Sequence, residues 1–324
     1  MNPAIRIFSK IFVFSTLFLV FAGSLVTSTG SGLAVPDWPL SYGMFFPPMV
    51  GGIFYEHGHR MIATFVGFLT LIFAIWLKYA EKRAWVRRLG FGALLIVISQ
   101  GILGGLTVIF LLPKPVSISH AILAQTFFII TIILAYSQSK ERSWRENQSI
   151  VIDRTLVYGA FIVMALIYIQ LIIAALMRHT GSGLAIPDFP WMANAWWPNF
   201  DQSTLQWIND WRFKNSLEPV SMVQVMIHFA HRLTALIIAI VLFVLAIYIF
   251  MKHSDNKKLE HSAVILIFLL VFQITLGAWT IWSKKAPYIA SFHVVTGAGM
   301  LGISMLLLLR ALPVQWSKWK KRSL

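Results

Sequence analysis

Eight apolar stretches of about twenty residues or more divide this 324-residue sequence, and they constrain its fold more than any other feature. A helical run of that length matches the roughly 30 Å hydrocarbon layer of a bilayer. Only 12% of the residues are charged, so few groups oppose burial in lipid. The pattern predicts an all-α integral membrane protein. The predicted spans are residues 9–28, 57–79, 90–111, 118–136, 155–177, 223–251, 262–282 and 289–311.

Basic residues fall mainly in every second connection between these spans. A net charge of +15 would suggest nucleic acid in a soluble protein, but this distribution follows the positive-inside rule. We therefore expect both termini and the basic connections in the cytoplasm, with lipid rather than nucleic acid as the partner. The residues are Arg6, Lys10, Lys78, Lys82, Arg83, Arg87, Arg88, Lys140, Arg142, Arg145, Arg154, Lys252, Lys257, Lys258, Lys318, Lys320, Lys321 and Arg322.

The sequence also contains an internal repeat. Residues Thr29–Ala34 return unchanged as Thr180–Ala185, a shift of 151, and His59–Arg60 returns as His231–Arg232 with a shift of 172. Chance does not readily produce such matches in the same order. Further matches at a shift of 173 are Gln100 with Gln273, Gly104 with Gly277, Thr107 with Thr280, and His120 with His293.

The repeat divides the chain into two halves of four spans each, residues 1–150 and 151–324. Because four is an even number, both halves keep the same orientation in the membrane. The difference between the shifts, 172 − 151 = 21, indicates a 21-residue insertion before the sixth span, which we expect to be an interfacial loop. The first span corresponds to the fifth, so we interpret it as a retained helix rather than a signal peptide.

Four of the nine histidines take equivalent positions near the outer ends of the even-numbered spans. A single histidine there is more often interfacial or hydrogen-bonded, but ionisable groups within spans are costly and tend to mark function. In each half the two histidine-bearing helices run in the same direction, so a porphyrin iron between them could receive one imidazole from each side. We predict haem sites at His59 with His120 and at His231 with His293. Zinc is less suited, because it usually has three or four protein ligands.

Glu56 distinguishes the halves, because its counterpart in the second half is His228. It precedes His59 by three residues and so lies one helical turn outward on the same face. This difference suggests proton-coupled chemistry in the first half; alternatively, Glu56 orients an imidazole or caps the helix. Arg60 and Arg232 lie at the depth expected for haem propionates, with snorkelling to lipid phosphate as the alternative.

Three other polar residues near these sites suggest structural roles. Asp37 and Asp188 occupy equivalent places in the repeated outer loops, where we expect them to form turns. His57 lies about 200° around the helix from His59, so it faces away from the predicted site. We expect it at the membrane interface.

These residues together resemble the haem A synthase family. The segment Glu56–Arg60 matches the family's glutamate-x-x-histidine-arginine motif, and His120, His231 and His293 match its other ligands in order. The resemblance covers nearly the whole chain. It implies eight helices from a duplicated four-helix unit, in the cytoplasmic membrane of a bacterium.

The resemblance implies oxidation of the C8 methyl group of haem O, through an alcohol and a hydrate, to the formyl group of haem A. The site of His59 and His120 would receive haem O, and Glu56 would move a proton or stabilise a cationic intermediate. His231 and His293 would bind a haem b cofactor that passes electrons. Haem O synthase and cytochrome oxidase assembly factors are the implied partners. Some bacterial members carry cysteine pairs in two outer loops, whereas this chain has no cysteine and cannot use such a relay.

Two other functions fit the paired histidines. A dihaem b-type cytochrome that transfers electrons from quinol would also hold two haems on membrane helices. It would retain two ordinary b haems, whereas a synthase would carry some haem O or haem A. A non-enzymatic haem carrier or assembly factor would need only one exchangeable site, which four ligand positions disfavour.

Overall fold

The computed structural model describes residues 3–146, 148 and 152–313, and it confirms the all-α membrane fold. The basic residues Lys318, Lys320, Lys321 and Arg322 lie outside the described residues. The helices are α1 (Pro3–Ser28), α2 (Gly52–Ala80), α3 (Ala84–Ile109), α4 (Lys114–Ser137), α5 (Lys140–Glu146), α6 (Arg154–His179), α7 (Gln202–Lys214), α8 (Met222–Lys252), α9 (Lys257–Trp282) and α10 (Pro287–Ala311), with a short 3₁₀ turn at Ser182–Leu184.

Eight of the described helices are long and apolar enough to cross a membrane, namely all except α5 and α7. They agree closely with the predicted spans, although α1, α2, α3 and α9 begin five or six residues earlier than the apolar pattern. Polar residues define two of the other starts. The Asp153 carboxylate accepts the Leu156 N–H at the start of α6, and Ser221 forms a capping box with Gln224 at the start of α8.

The helix contacts of the first half recur in the second. In the first half, α1 and α3 each pack against both α2 and α4, while in the second half α6 and α9 each pack against both α8 and α10. Between the halves, α1 contacts α10, α4 contacts α6, and α4 contacts α10. This pattern is consistent with two copies of a four-helix bundle joined along α1, α4, α6 and α10.

The insertion before α8 is not the simple loop that we expected. It contains α7, which is capped by the Asp201 carboxylate and contributes the fully buried Ile208 to a small hydrophobic cluster. Val225 and Phe229 of α8 belong to the same cluster. Burial of these apolar side chains therefore folds the insertion into a cap over the outer end of the second half.

Candidate functional site

Two equivalent loops, predicted from the charge pattern to be outer loops, cover the histidine-bearing ends of the bundles. The first outer loop comprises residues 29–51 and the third comprises residues 180–221. Gly30 and Gly181 follow α1 and α6 with φ angles of 70° and 72°, a left-handed conformation that glycine adopts without steric cost. Both helices therefore end in the same way, and the loops turn back over the histidine-bearing helices.

Asp37 and Asp188 fold the two loops into matching turns, which confirms their expected role. Asp37 accepts the N–H groups of Tyr42 and Gly43 at 2.6 and 2.8 Å. Asp188 accepts two equivalent backbone N–H groups, each at 2.8 Å. The hydrogen bond from Gly43 lowers the pKa of the Asp37 carboxyl below its ordinary value of 3.8, because it favours the charged form.

Arg60 and Arg232 bind these loops through their guanidinium groups. Arg60 donates to the carbonyl oxygens of Asp37 and Leu40, both at 2.8 Å. Arg232 donates to the carbonyl oxygens of Asp188 and Trp191, at 2.7 and 2.8 Å. Each arginine predicted to serve haem propionates therefore also fastens an outer loop to its helix, a contact that sequence spacing did not reveal.

Glu56 and His228 make the same loop contact with different chemistry. The Val35 N–H donates to Glu56 Oε2 at 2.8 Å, and the equivalent Ile186 N–H donates to His228 Nδ1 at 3.1 Å. The other Glu56 oxygen forms an ion pair of 2.6 Å with Arg60. Both side chains are buried, with 4% and 3% exposed, so the first half alone has a buried carboxylate at this position.

The first outer loop also covers side chains beside the first histidine pair. Ser41 Oγ lies 2.8 Å from His57 Nδ1, and His57 is buried. The expectation that His57 lies at the membrane interface was wrong, because the loop shields this face of α2.

Trp38 packs flat against α3 at Gly105, where a Cβ atom would lie only 2.7 Å from the indole ring. Glycine at this position allows the loop to approach the helix closely.

The structure brings together the two histidines of the second predicted pair. The ring centres of His231 and His293 are 6.3 Å apart, with the ring planes inclined by 62°. Two metal–imidazole bonds of about 2 Å, in line across one metal, would place ring centres about 6 Å apart. The second pair thus fits one haem iron between the rings.

Glutamine side chains support three of these four histidines. Gln100, Gln170 and Gln273 donate from their amides to the backbone carbonyls of His120, His231 and His293, at 2.9, 2.9 and 3.0 Å. Sequence reasoning noted Gln100 and Gln273 only as repeated residues, and it missed Gln170. The position equivalent to Gln170 in the first half, 170 − 151 = 19, is Leu19.

Glycines allow the rings of three histidines to pack against neighbouring helices. A Cβ atom at Gly23 would lie 2.9 Å from the His59 ring, and one at Gly277 would lie 3.1 Å from the His293 ring. A Cβ atom at Gly104 would lie 3.5 Å from the His120 ring. Larger side chains would push the rings out of these positions.

Arg178 connects the two halves, and the equivalent position in the first half, 178 − 151 = 27, is Thr27. Its guanidinium donates to the Ser24 carbonyl at 2.7 Å and to Ser28 Oγ at 2.6 Å, both on α1. Ser28 Oγ in turn accepts from Ser291 of α10 at 3.0 Å. This cluster joins α6, α1 and α10, and its member Ser291 is two residues before His293 on α10.

Comparisons with known proteins agree with this arrangement. The sequence model of the COX15-CtaA family, described as "Cytochrome oxidase assembly protein", matches residues 50–305. The chain is 26% identical to "Heme A synthase" of Alkalihalophilus pseudofirmus over 302 residues, covering 91% of this chain and 93% of that protein. It is 25% identical to "Heme A synthase" of Bacillus licheniformis over 309 residues, 94% of each chain. The protein of that name from Geobacillus kaustophilus is 25% identical over 327 residues, with 96% and 93% covered.

Proposed function

Because this chain belongs to the COX15-CtaA family of cytochrome oxidase assembly proteins, we propose that it is a haem A synthase. The reaction is oxidation of the C8 methyl group of haem O, through an alcohol and a hydrate, to the formyl group of haem A. The site of His59 and His120 receives the substrate, and the site of His231 and His293 holds a haem b cofactor. The first half, residues 1–150, thereby serves as the substrate domain, and the second half, residues 151–324, serves as the cofactor domain.

The unlike residues Glu56 and His228, at otherwise equivalent positions, support this division most strongly. Both accept a loop N–H, so the loop contact does not require a carboxylate. Only the first half keeps an acidic group one turn from a ligand histidine. A buried carboxylate near the reacting porphyrin edge can accept a proton or stabilise positive charge as the methyl group is oxidised.

The chain's own residues bind, orient and shield, while haem iron supplies the oxidative chemistry when it is bound. His59 and His120 would hold the substrate haem. The first outer loop, fastened by Arg60, excludes water from that site. In each half the arginine, Arg60 or Arg232, is placed to meet propionate carboxylates at the loop-covered end of the bundle.

The arrangement of charges supports a position in the cytoplasmic membrane of a bacterium. The α2–α3 and α8–α9 connections are basic, whereas the loops over the histidine sites contain only two basic residues, Arg212 and Lys214. By the positive-inside rule both termini face the cytoplasm and the histidine sites lie near the outer surface. The partners are an enzyme that supplies the lipid-soluble haem O and factors that assemble the oxidase.

Extraction and chromatography of bound haems test the proposal. The protein is purified from cells that also make haem O, alongside His59→Ala and a control, His261→Ala, at an exposed histidine near the opposite end of the bundle. Haem A or hydroxylated haem O beside haem b, lost in His59→Ala and kept in His261→Ala, is the expected result. Two equivalents of unmodified haem b, unaffected by haem O supply, would instead indicate an electron-transfer cytochrome.

A further inference from the structure

We propose that Lys285, Arg178 and Arg212 form a cationic cluster that binds the propionate carboxylates of the haem at the second site. This rests on the proposed function, which places haem b between His231 and His293. Both propionates of a haem lie on one edge of the porphyrin, so cations gathered at one place can meet both carboxylates.

Lys285 lies in the turn between α9 and α10, and its counterpart in the first half, 285 − 173 = 112, is Leu112. The two residues have φ angles of 67° and 59°, and each donates its N–H to the equivalent threonine carbonyl at 2.7 Å. A Cβ atom at Gly183 would lie 3.6 Å from Lys285 Cδ, and one at the equivalent Gly32 would lie 3.4 Å from Leu112 Cδ1. The two turns therefore have the same shape, but only the second carries an amine beyond this contact.

Two arginines bring further positive charge to the segment that Lys285 contacts. Arg212 of α7 is buried, and its Nη1 donates to the Leu184 carbonyl at 2.9 Å, next to Gly183. Arg178 stands near the end of α6, five residues before Gly183, and it bonds α1 through Nη2 alone. None of the three cations forms an ion pair within the described ranges. Desolvation and the charges of both arginines lower the pKa of the Lys285 amine below 10.5, so a bound anion would relieve this repulsion.

The cluster is connected to both helices of the second histidine pair. Arg178 donates to Ser28 Oγ, which accepts from Ser291, two residues before His293 on α10. The chain that follows the contact with Lys285 is bonded to α8 one helical turn from His231. A haem between these histidines would bury its apolar ring in the bundle, and its charged propionates would avoid that interior. The edge that carries them would therefore face the cationic cluster.

Arg232, the residue expected to bind these propionates, has little capacity left for them. Its guanidinium donates to three loop carbonyls and to His228 Nε2, which uses four of the five N–H groups of an arginine. Two carboxylates present four oxygen atoms that can accept. The amine of Lys285 offers three N–H groups and makes no hydrogen bond within the described ranges, so it can donate to a propionate.

The first half has no such cluster. Leu112 and Thr27 occupy the positions of Lys285 and Arg178, and Arg212 belongs to the insertion that is unique to the second half. A hydrogen bond to a charged group changes a binding constant by about 10- to 150-fold. The second site should therefore hold its haem by charge as well as by its iron ligands, which suits a cofactor that stays bound.

Haem b and its dimethyl ester, whose two propionates are uncharged, provide the test. Each is titrated into purified full-length protein with His59→Ala and His120→Ala, which leaves only the second histidine pair. We expect haem b to bind at least about 10-fold more tightly than the ester. Lys285→Met keeps an aliphatic stem without the amine, and it should weaken haem b binding by about 10-fold and leave ester binding unchanged. Comparison between variants cancels any difference in how the two porphyrins enter detergent micelles.

Two further variants control for net charge and transfer the effect to the other half. Lys284→Met removes the same charge from the neighbouring exposed residue, which does not contact Gly183, and it should keep the preference for haem b. Leu112→Lys, in protein that retains only the first histidine pair, should increase the preference of that site for haem b over the ester.

The outcomes separate this inference from the proposed function. If Lys285→Met binds haem b as tightly as its parent, Lys285 pairs with another anion, such as a lipid phosphate, and the inference is overturned. Equal losses for haem b and the ester would also overturn it, because they would show that Lys285 only stabilises the fold. Both results leave the haem site standing, whereas failure of the second pair to bind any haem would overturn both proposals.

Discussion

Glu56 and Arg60 form an ion pair of 2.6 Å across one turn of α2, and each is also bonded to the first outer loop. The Val35 N–H donates to the second oxygen of Glu56, and the Asp37 carbonyl accepts from Arg60. The buried acid is therefore held by the same contacts that close the loop. Its charge and its position are coupled, and an informative substitution must change one without the other.

Glu56→Gln is such a substitution, because the amide oxygen can still accept the Val35 N–H. We expect haem A formation to fall by about 100-fold or more, the scale of losing a proton-transfer group. Haem should stay bound, because His59 and His120 are unchanged. Chromatography of extracted haems measures the first effect, and the absorbance spectrum of the purified protein measures the second.

The second half offers a control for Glu56→Gln. His228→Gln also keeps an acceptor for the equivalent Ile186 N–H but removes no carboxylate. We expect it to form haem A at close to the normal rate. A normal rate in Glu56→Gln would show that the carboxylate takes no part in the reaction.

Gly23→Ala should weaken haem binding at the first site. The new Cβ would lie 2.9 Å from Cε1 of His59, so the ring must shift away from its position. Overpacking of this kind costs about 1–3 kcal/mol, or about 5- to 150-fold in binding. Haem titration of the purified variant measures the loss. Gly67→Ala on α2 meets nothing within 4 Å and should bind normally; equal losses in both would indicate a general helix effect.

Arg178→Gln should loosen the contact between the halves. The guanidinium makes two hydrogen bonds to α1, and a hydrogen bond to a charged group contributes about 1.5–3 kcal/mol. We expect the midpoint of thermal unfolding in detergent to fall by a few degrees. Arg87→Gln is the matched control, since Arg87 also makes two hydrogen bonds, but to carbonyls within one connection. An equal effect of the two substitutions would contradict a bridging role for Arg178.

The first outer loop should open only in acid. The pKa of Asp37 is lowered below 3.8 by the Gly43 N–H bond, so its stabilisation is present above that value. It is lost as the pH falls through the lower folded value. We expect protection of the Tyr42 and Gly43 amides in hydrogen exchange, corrected for intrinsic rates, from pH 8 to about 4 and its loss below. Asp37→Asn should be unprotected throughout; protection that persists in this variant would contradict the role of the carboxylate.

The membrane helices could be predicted closely because a span must be apolar over a length that matches the hydrocarbon layer, and such a stretch is visible in the sequence. The residues that position the sites could be predicted only where the repeat displayed them. Gln100 and Gln273 appear in both halves, whereas Gln170 and Arg178 have unlike counterparts, so the repeat concealed them. Residues that differ between equivalent positions distinguish the two halves, and a search for repeated residues does not find them.

The insertion could be located but not interpreted from the sequence. Its start signal, Asp201 followed by Thr204, is a helix cap that the tryptophan-rich composition obscured. Burial of Ile208 against α8 depends on tertiary contacts that no local pattern displays. The loop contacts of Arg60 and Arg232 were hidden for the same reason, because they join residues more than 20 positions apart along the chain.

The four histidines lie six to nine residues from the starts of α2, α4, α8 and α10, so both sites occupy one level of the bundle. If both sites hold haem as proposed, an electron passing between them would travel parallel to the membrane plane. Moving one elementary charge across the membrane changes its free energy by about 2.3 kcal/mol for each 100 mV of membrane potential. A path parallel to the membrane plane crosses no part of that potential. The rate of electron transfer between the halves should therefore not depend on the membrane potential, and it should be equal in energised and in uncoupled membranes.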